Sequence, residues 1–243
     1  MNPTQLILAG LIIFGAHVVM GMTGFGSGVL GLPLLALIVG LDVGKQVLLI
    51  LTCLQCIYLV LRWPKRIDWR QFWIMTILCA IGLPLGIYLY DVLPRRWSMI
   101  ALGVFITVVG LRNLLGLLPD QRAPRWLATL LLIASGVVQG AFTTGGPLLV
   151  VYADQTLRTK NTFRITLCLL WLAVDALLVI AWTRAHAWQP ASFRLSVIGL
   201  PFMLAGLVIG ERLHHTVSER NFRRAVNATL AIIGVLLLAL SFK

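Results

Sequence analysis

Eight apolar runs, cut apart by clusters of charge, limit what this chain can fold into. They cover roughly residues 5–41, 46–61, 71–90, 97–118, 126–152, 163–183, 195–210 and 222–242. Six are 16 to 22 residues long, about the length of an α-helix that crosses ~30 Å of hydrocarbon. Only 12% of the 243 residues are charged, while 59% are hydrophobic. So few charges cannot clothe a soluble domain of this size, and the same balance excludes a disordered chain or a disulfide scaffold. The expected class is an all-α polytopic membrane protein. The opening Met-Asn-Pro-Thr-Gln lacks the basic stretch of a cleaved signal peptide, so the first run is expected to stay as a span.

Runs one and five depart from the pattern. Run 5–41 is too long for one span, and both runs carry a Gly/Thr-rich interruption followed by proline. The first is Thr23-Gly24-Phe25-Gly26-Ser27-Gly28 before Pro33; the second is Thr143-Thr144-Gly145-Gly146 before Pro147. Glycine and proline weaken a helix there and leave backbone groups unpaired. The chain also repeats itself. A shift of 114 lays Gly26, Gly31 and Pro33-Leu34-Leu35 on Gly140, Gly145 and Pro147-Leu148-Leu149. A shift of 124 lays Gly82, Gly86, Leu89 and Gly110 on Gly206, Gly210, Leu213 and Gly234. Two halves on one plan are expected, residues 1–118 and 119–243, forming one integrated membrane domain of a kind common in transporters.

Charge sets the orientation of those halves. The net charge of +12 reads first as Lys and Arg holding loops on the cytoplasmic side. If all eight runs cross once, the basic residues divide equally. If runs one and five turn back at their breaks, the loops at 62–70, 112–125, 158–164 and 212–224 share one side with 14 Lys/Arg against 6. The second arrangement is preferred. Each half is then a broken or re-entrant helical hairpin plus three transmembrane helices, and the two halves form inverted repeats. Both termini then lie outside the cytoplasm. No basic soluble module suited to nucleic acid is present.

The breaks are the sharpest candidates for a site. A helix that starts at such a turn presents unpaired N–H groups and a positive dipole end, which suit an anion. Two breaks meeting near the midplane would offer Thr23, Gly24, Phe25, Gly26, Ser27, Gly28, Thr143, Thr144, Gly145 and Gly146, with Gln139 one turn earlier. Asp175 lies deep in the sixth run, where an ionised carboxylate is costly unless paired or protonated. It is a proton-coupling candidate or a structural acid. His17, one turn before the first break, is a packing histidine or a proton relay. Gln55 is a cavity candidate or a packing amide. Residues 26–31 match G-x-G-x-x-G only formally, because no strand precedes them. Cys53, Cys56, Cys79 and Cys168 read as small packing residues, although Cys53 and Cys56 have redox spacing. Trp63, Trp69, Trp73, Trp97, Trp126, Trp182 and Trp188 read as an interfacial belt. Gly82-x-x-x-Gly86 and Gly206-x-x-x-Gly210 read as helix-packing motifs, and Arg112-Asn113 and Arg223-Arg224 as snorkelling groups. Neither a metal site nor a cofactor is expected.

The stretch Gly21-Met-Thr-Gly-Phe-Gly-Ser-Gly-Val-Leu-Gly-Leu-Pro-Leu-Leu35 resembles the signature of the TauE/SafE sulfite exporter family, also called the toluene sulfonate uptake permease group. Residues 136–149 resemble that family's second copy, with Thr143-Thr144 where more glycine is expected. The resemblance implies transport of a small organic or sulfur-containing anion such as sulfite, sulfoacetate or a sulfonate, driven by an ion gradient, in a bacterial inner membrane. A proton is the coupling ion that Asp175 would serve. The competing classes are a passive anion channel, an accessory membrane subunit and an intramembrane enzyme; no nucleophile–base–orienter set is readable for the last.

Overall fold

The computed structural model describes residues 2–114, 124–157 and 159–216. Within them the chain is helical and has no strand. The helices are α1 (Pro3–Thr23), α2 (Ser27–Val39), α3 (Leu41–Arg62), α4 (Trp69–Val92), α5 (Arg95–Leu114), α6 (Arg125–Phe142), α7 (Gly146–Thr156), α8 (Lys160–Arg184) and α9 (Pro190–Thr216). The eighth apolar run, and Arg223-Arg224 with it, lies outside the described residues. Five helices, α1, α3, α4, α8 and α9, are long and apolar enough to cross a membrane. Ile7, Leu11, Ile77, Ile81, Leu85 and Val197 point outward from them, each more than half exposed. An apolar exterior of this kind is stable against lipid and not against water. The chain is a polytopic membrane protein.

Local chemistry explains where helices start. Asn2 and Gln5 close a capping box on α1. The Asp68 carboxylate accepts from Gln71 N at 3.0 Å ahead of α4, and Thr159 Oγ1 accepts from Thr162 N at 3.2 Å ahead of α8. Each satisfies a backbone donor that the first turn leaves unpaired.

Glycine sets how the long helices meet. A Cβ on Gly82 would strike Ile133 O and Val137 N of α6, and one on Gly206 would strike Phe14 O and Val18 N of α1. Gly86 meets Val137 O in the same way that Gly210 meets Val18 O. Small residues let these backbones touch directly. The α4–α6 and α1–α9 contacts therefore recur at equivalent residues, at an offset of 124 between α4 and α9 and of 119 between α1 and α6. This corrects the offset of 114 expected around the first break. The matching Pro-Leu-Leu strings are not structural equivalents, because Pro33 lies inside α2 whereas Pro147 lies in the first turn of α7.

Helix directions follow from the contacts. α3 and α8 run antiparallel: Lys45 lies under Trp182, and Asp68 N, just past the end of α3, donates to Thr166 Oγ1 at 3.0 Å. α2 folds back along α1, since Gly31 packs on Ala16 and Gly26 on Val19. Trp63, Trp69, Trp73, Trp97 and Trp126 are exposed at helix ends, as an interfacial belt requires. Trp182 departs from that expectation. It is buried, because Trp188 packs edge-on against it at 5.4 Å and Lys45 lies at its face.

Candidate functional site

The two helix interruptions meet. α1 ends at Gly24, whose φ of 82° is left-handed, and its N–H bonds Met20 O. α6 ends the same way at Thr143, φ 53°, with its N–H on Gln139 O. Threonine rarely takes this conformation, so the second break holds a strained cap where the first has glycine. Gly26, φ 100°, then starts α2 without a side-chain cap. A Cβ on Gly28 would strike Thr143 O, and one on Gly146 would press on Phe25. Glycine is required at 28, where the second break's backbone closes on it, while a side chain at 146 would have to displace the Phe25 ring.

Between the breaks is a small cavity of about 30 Å³. Phe25, Gly26, Ser27, Gly28, Gln139, Thr143, Thr144, Gly146 and Asp175 line it, together with Thr52 and Trp171. Thr23, Gly24 and Gly145 brace the turns behind the wall. Thr23 Oγ1 donates to Phe25 O at 2.7 Å, and Trp171 Nε1 donates to Gly24 O at 3.1 Å. Gly145 N donates to Gln139 Oε1 at 2.8 Å, and its carbonyl accepts from Ser135 Oγ at 2.8 Å.

Gln139 is the link between the second break and the buried acid. Its Nε2 donates to Asp175 Oδ1 at 2.7 Å while its Oε1 holds Gly145 N. Ser27 and Thr52 share a hydrogen bond of 2.8 Å on the opposite wall. Thr144 is 2% exposed, and its hydroxyl has no protein partner. A buried donor without a partner, beside two helix starts, suits a polar guest. His17 and Gln55 are placed elsewhere. They pair with each other between α1 and α3, the imidazole with Gln55 Oε1 and Gln55 Nε2 with His17 O at 3.1 Å, and neither lines the cavity. Among the described residues no group of His, Cys, Asp or Glu could hold a metal ion.

The family model described as Sulfite exporter TauE/SafE matches residues 8–237, nearly the whole chain and both breaks. The chain belongs to the TauE/SafE family. A Comamonas testosteroni relative of this TauE/SafE chain carries the name "Probable inner membrane transporter protein TsaS"; it is 26% identical over 173 residues, covering 70% of this chain and 72% of the relative. No solved structure matches. Two cavity residues of this TauE/SafE protein escape the motif reading. Trp171 lies one helical turn before Asp175 and so shares its face, which is a usable signal. Thr52 is a lone hydroxyl inside an apolar run, and only packing shows that it faces the first break.

Proposed function

We propose that this chain is a secondary active transporter of a small sulfur-containing or organic anion, of the sulfite, sulfoacetate or sulfonate kind, with a proton as coupling ion. The observation that carries the reading is the meeting of two uncapped helix starts and a partnerless buried hydroxyl around one cavity. Family membership supports the solute class. Asp175, bonded to the amide that braces the second break, would carry the proton, and its neutral form would tolerate an anion beside it.

The two halves are read as inverted repeats that alternate access to the cavity. The antiparallel α3 and α8, one from each half, support this, as do the duplicated glycine contacts. Loop 63–68 and the start of α8 share one face; in the expected arrangement that side holds the sequence's positive excess and is taken as cytoplasmic. The test is a panel of sulfite, sulfoacetate, thiosulfate and carboxylates in proteoliposomes, with and without a pH gradient. Accumulation of a sulfur anion driven by the gradient supports the reading. Ungated currents far above transporter turnover select a channel, and no flux of any solute selects an accessory subunit.

A further inference from the structure

Two buried cations flank the cavity at corresponding places. Among the described residues, Lys45 and Arg164 are the Lys and Arg that are buried, 4% and 3% exposed. Lys45 lies one turn inside α3, and Arg164 lies at the same step of α8, 119 residues on. That is the offset at which the breaks correspond. Their neighbours correspond too. Tyr90 of α4 donates its hydroxyl to Asp42 Oδ1 at 2.7 Å, three residues before Lys45. At the α4-to-α9 offset of 124, His214 meets Asn161 Oδ1 at 3.0 Å, three residues before Arg164.

The two cations stand on opposite sides of the cavity. Lys45 lies beneath Trp182, 18 residues along α8 from Arg164, or about 27 Å at the helical rise. Trp171 and Asp175, both cavity residues, lie between them on α8. The backbone of Arg164 packs on Gly24, the cap of the first break. Lys45 Nζ lies 3.1 Å from the centroid of the Tyr90 ring, which packs on Phe142 just before the cap of the second break. Each break thus has a buried cation behind it.

The acids beside these cations do not correspond. Asp42 lies 3.9 Å from Lys45 on its own helix. In the other half Asn161 replaces it, and Glu211 of α9 bonds Arg164 Nη2 at 3.0 Å. The feature that recurs is the cation, not the ion pair. Arg164 Nη1 is buried without a protein partner, which leaves half of a planar fork suited to an oxyanion. A cation so buried is costly unless it is paired, and ionisable residues buried within membrane helices often mark ion pathways.

We propose that Lys45 and Arg164 are two outer anion-binding stations, one on each side of the central cavity, that pass a sulfite- or sulfonate-like anion to and from it. Asp42 and Glu211 neutralise each cation while its side is closed. The proposal rests on the transport reading and deepens it. The test uses proteoliposomes sorted for one orientation, with 35S-sulfite offered from either face. Arg164→Gln raises the half-saturation concentration at least tenfold from the face bearing α8's start and less than twofold from the other, and Lys45→Gln does the reverse. Arg164→Lys stays within about threefold of wild type. Glu211→Gln, which keeps Arg164 and frees its charge, lowers half-saturation on that face. The double variant R164Q/E211Q restores neutrality, so a purely structural ion pair would recover wild-type affinity; recovery within twofold overturns the proposal. Equal effects from both faces, or a rise with Glu211→Gln, overturn it as well. If the wild type moves no sulfite, equilibrium binding of 35S-sulfite to the purified protein decides. A tenfold loss in both Arg164→Gln and Lys45→Gln upholds the stations and rejects transport of that anion. Absent or unchanged binding rejects the stations.

Discussion

Gln139 carries two duties at once, and its replacement separates them. With leucine at 139, Asp175 loses its donor and Gly145 N loses its acceptor. A hydrogen bond to a charged group contributes about 2 kcal/mol, so Gln139→Leu should cut uptake sharply while the protein still inserts, read as reduced initial rate at equal membrane abundance. Asp175→Asn keeps a hydrogen-bonding side chain of nearly the same shape but cannot shuttle a proton. It should leave solute exchange and remove the response to a pH gradient; gradient-driven accumulation that persists in the variant removes Asp175 as carrier. Neither link is visible along the chain, since Gln139 and Asp175 are 36 residues apart and only the fold brings the amide of α6 within reach of the acid on α8. What can be read in advance is that a carboxylate so deep in an apolar run needs a partner.

At the scale of elements, the breaks and the glycine contacts make opposite demands. Gly26→Leu or Gly146→Leu adds bulk to the wall of the cavity between the breaks and should abolish transport without loss of insertion, measured as uptake against membrane abundance. Gly86→Leu drives a side chain into the α6 backbone at Val137. It should instead lower thermal stability by several degrees and reduce abundance, since α4 and α6 can no longer close. Helix boundaries were legible to within about six residues because charge clusters mark them; the caps Asp68 and Thr159 show only in the structure. The correspondence of the breaks was not. Identical Pro-Leu-Leu strings suggested an offset of 114, whereas geometry aligns Gly24 with Thr143. A left-handed threonine has no sequence signature, so the true equivalents share conformation and not residue type. Most of the cavity wall was legible from the Gly/Thr interruptions. Gln55 and His17 were not resolvable, because whether a polar group in an apolar run faces a cavity or a neighbouring helix depends on helix rotation.

For the whole molecule, interleaving matters more than either half. The α1–α9 contact joins the start of the chain to its later part, and α4–α6 crosses the middle. Co-expressing residues 1–118 and 119–243 as separate chains should therefore yield a complex that co-purifies, whereas each piece alone should be degraded; a stable first piece on its own would show that the halves are independent. The same interlacing has a consequence during synthesis. The glycine-notched side of α1 waits for α9, roughly 190 residues later, which at ribosomal speed is about 10–40 s. For that interval the face of α1 that Gly10 and Gly21 leave open to α9 has no partner from its own chain.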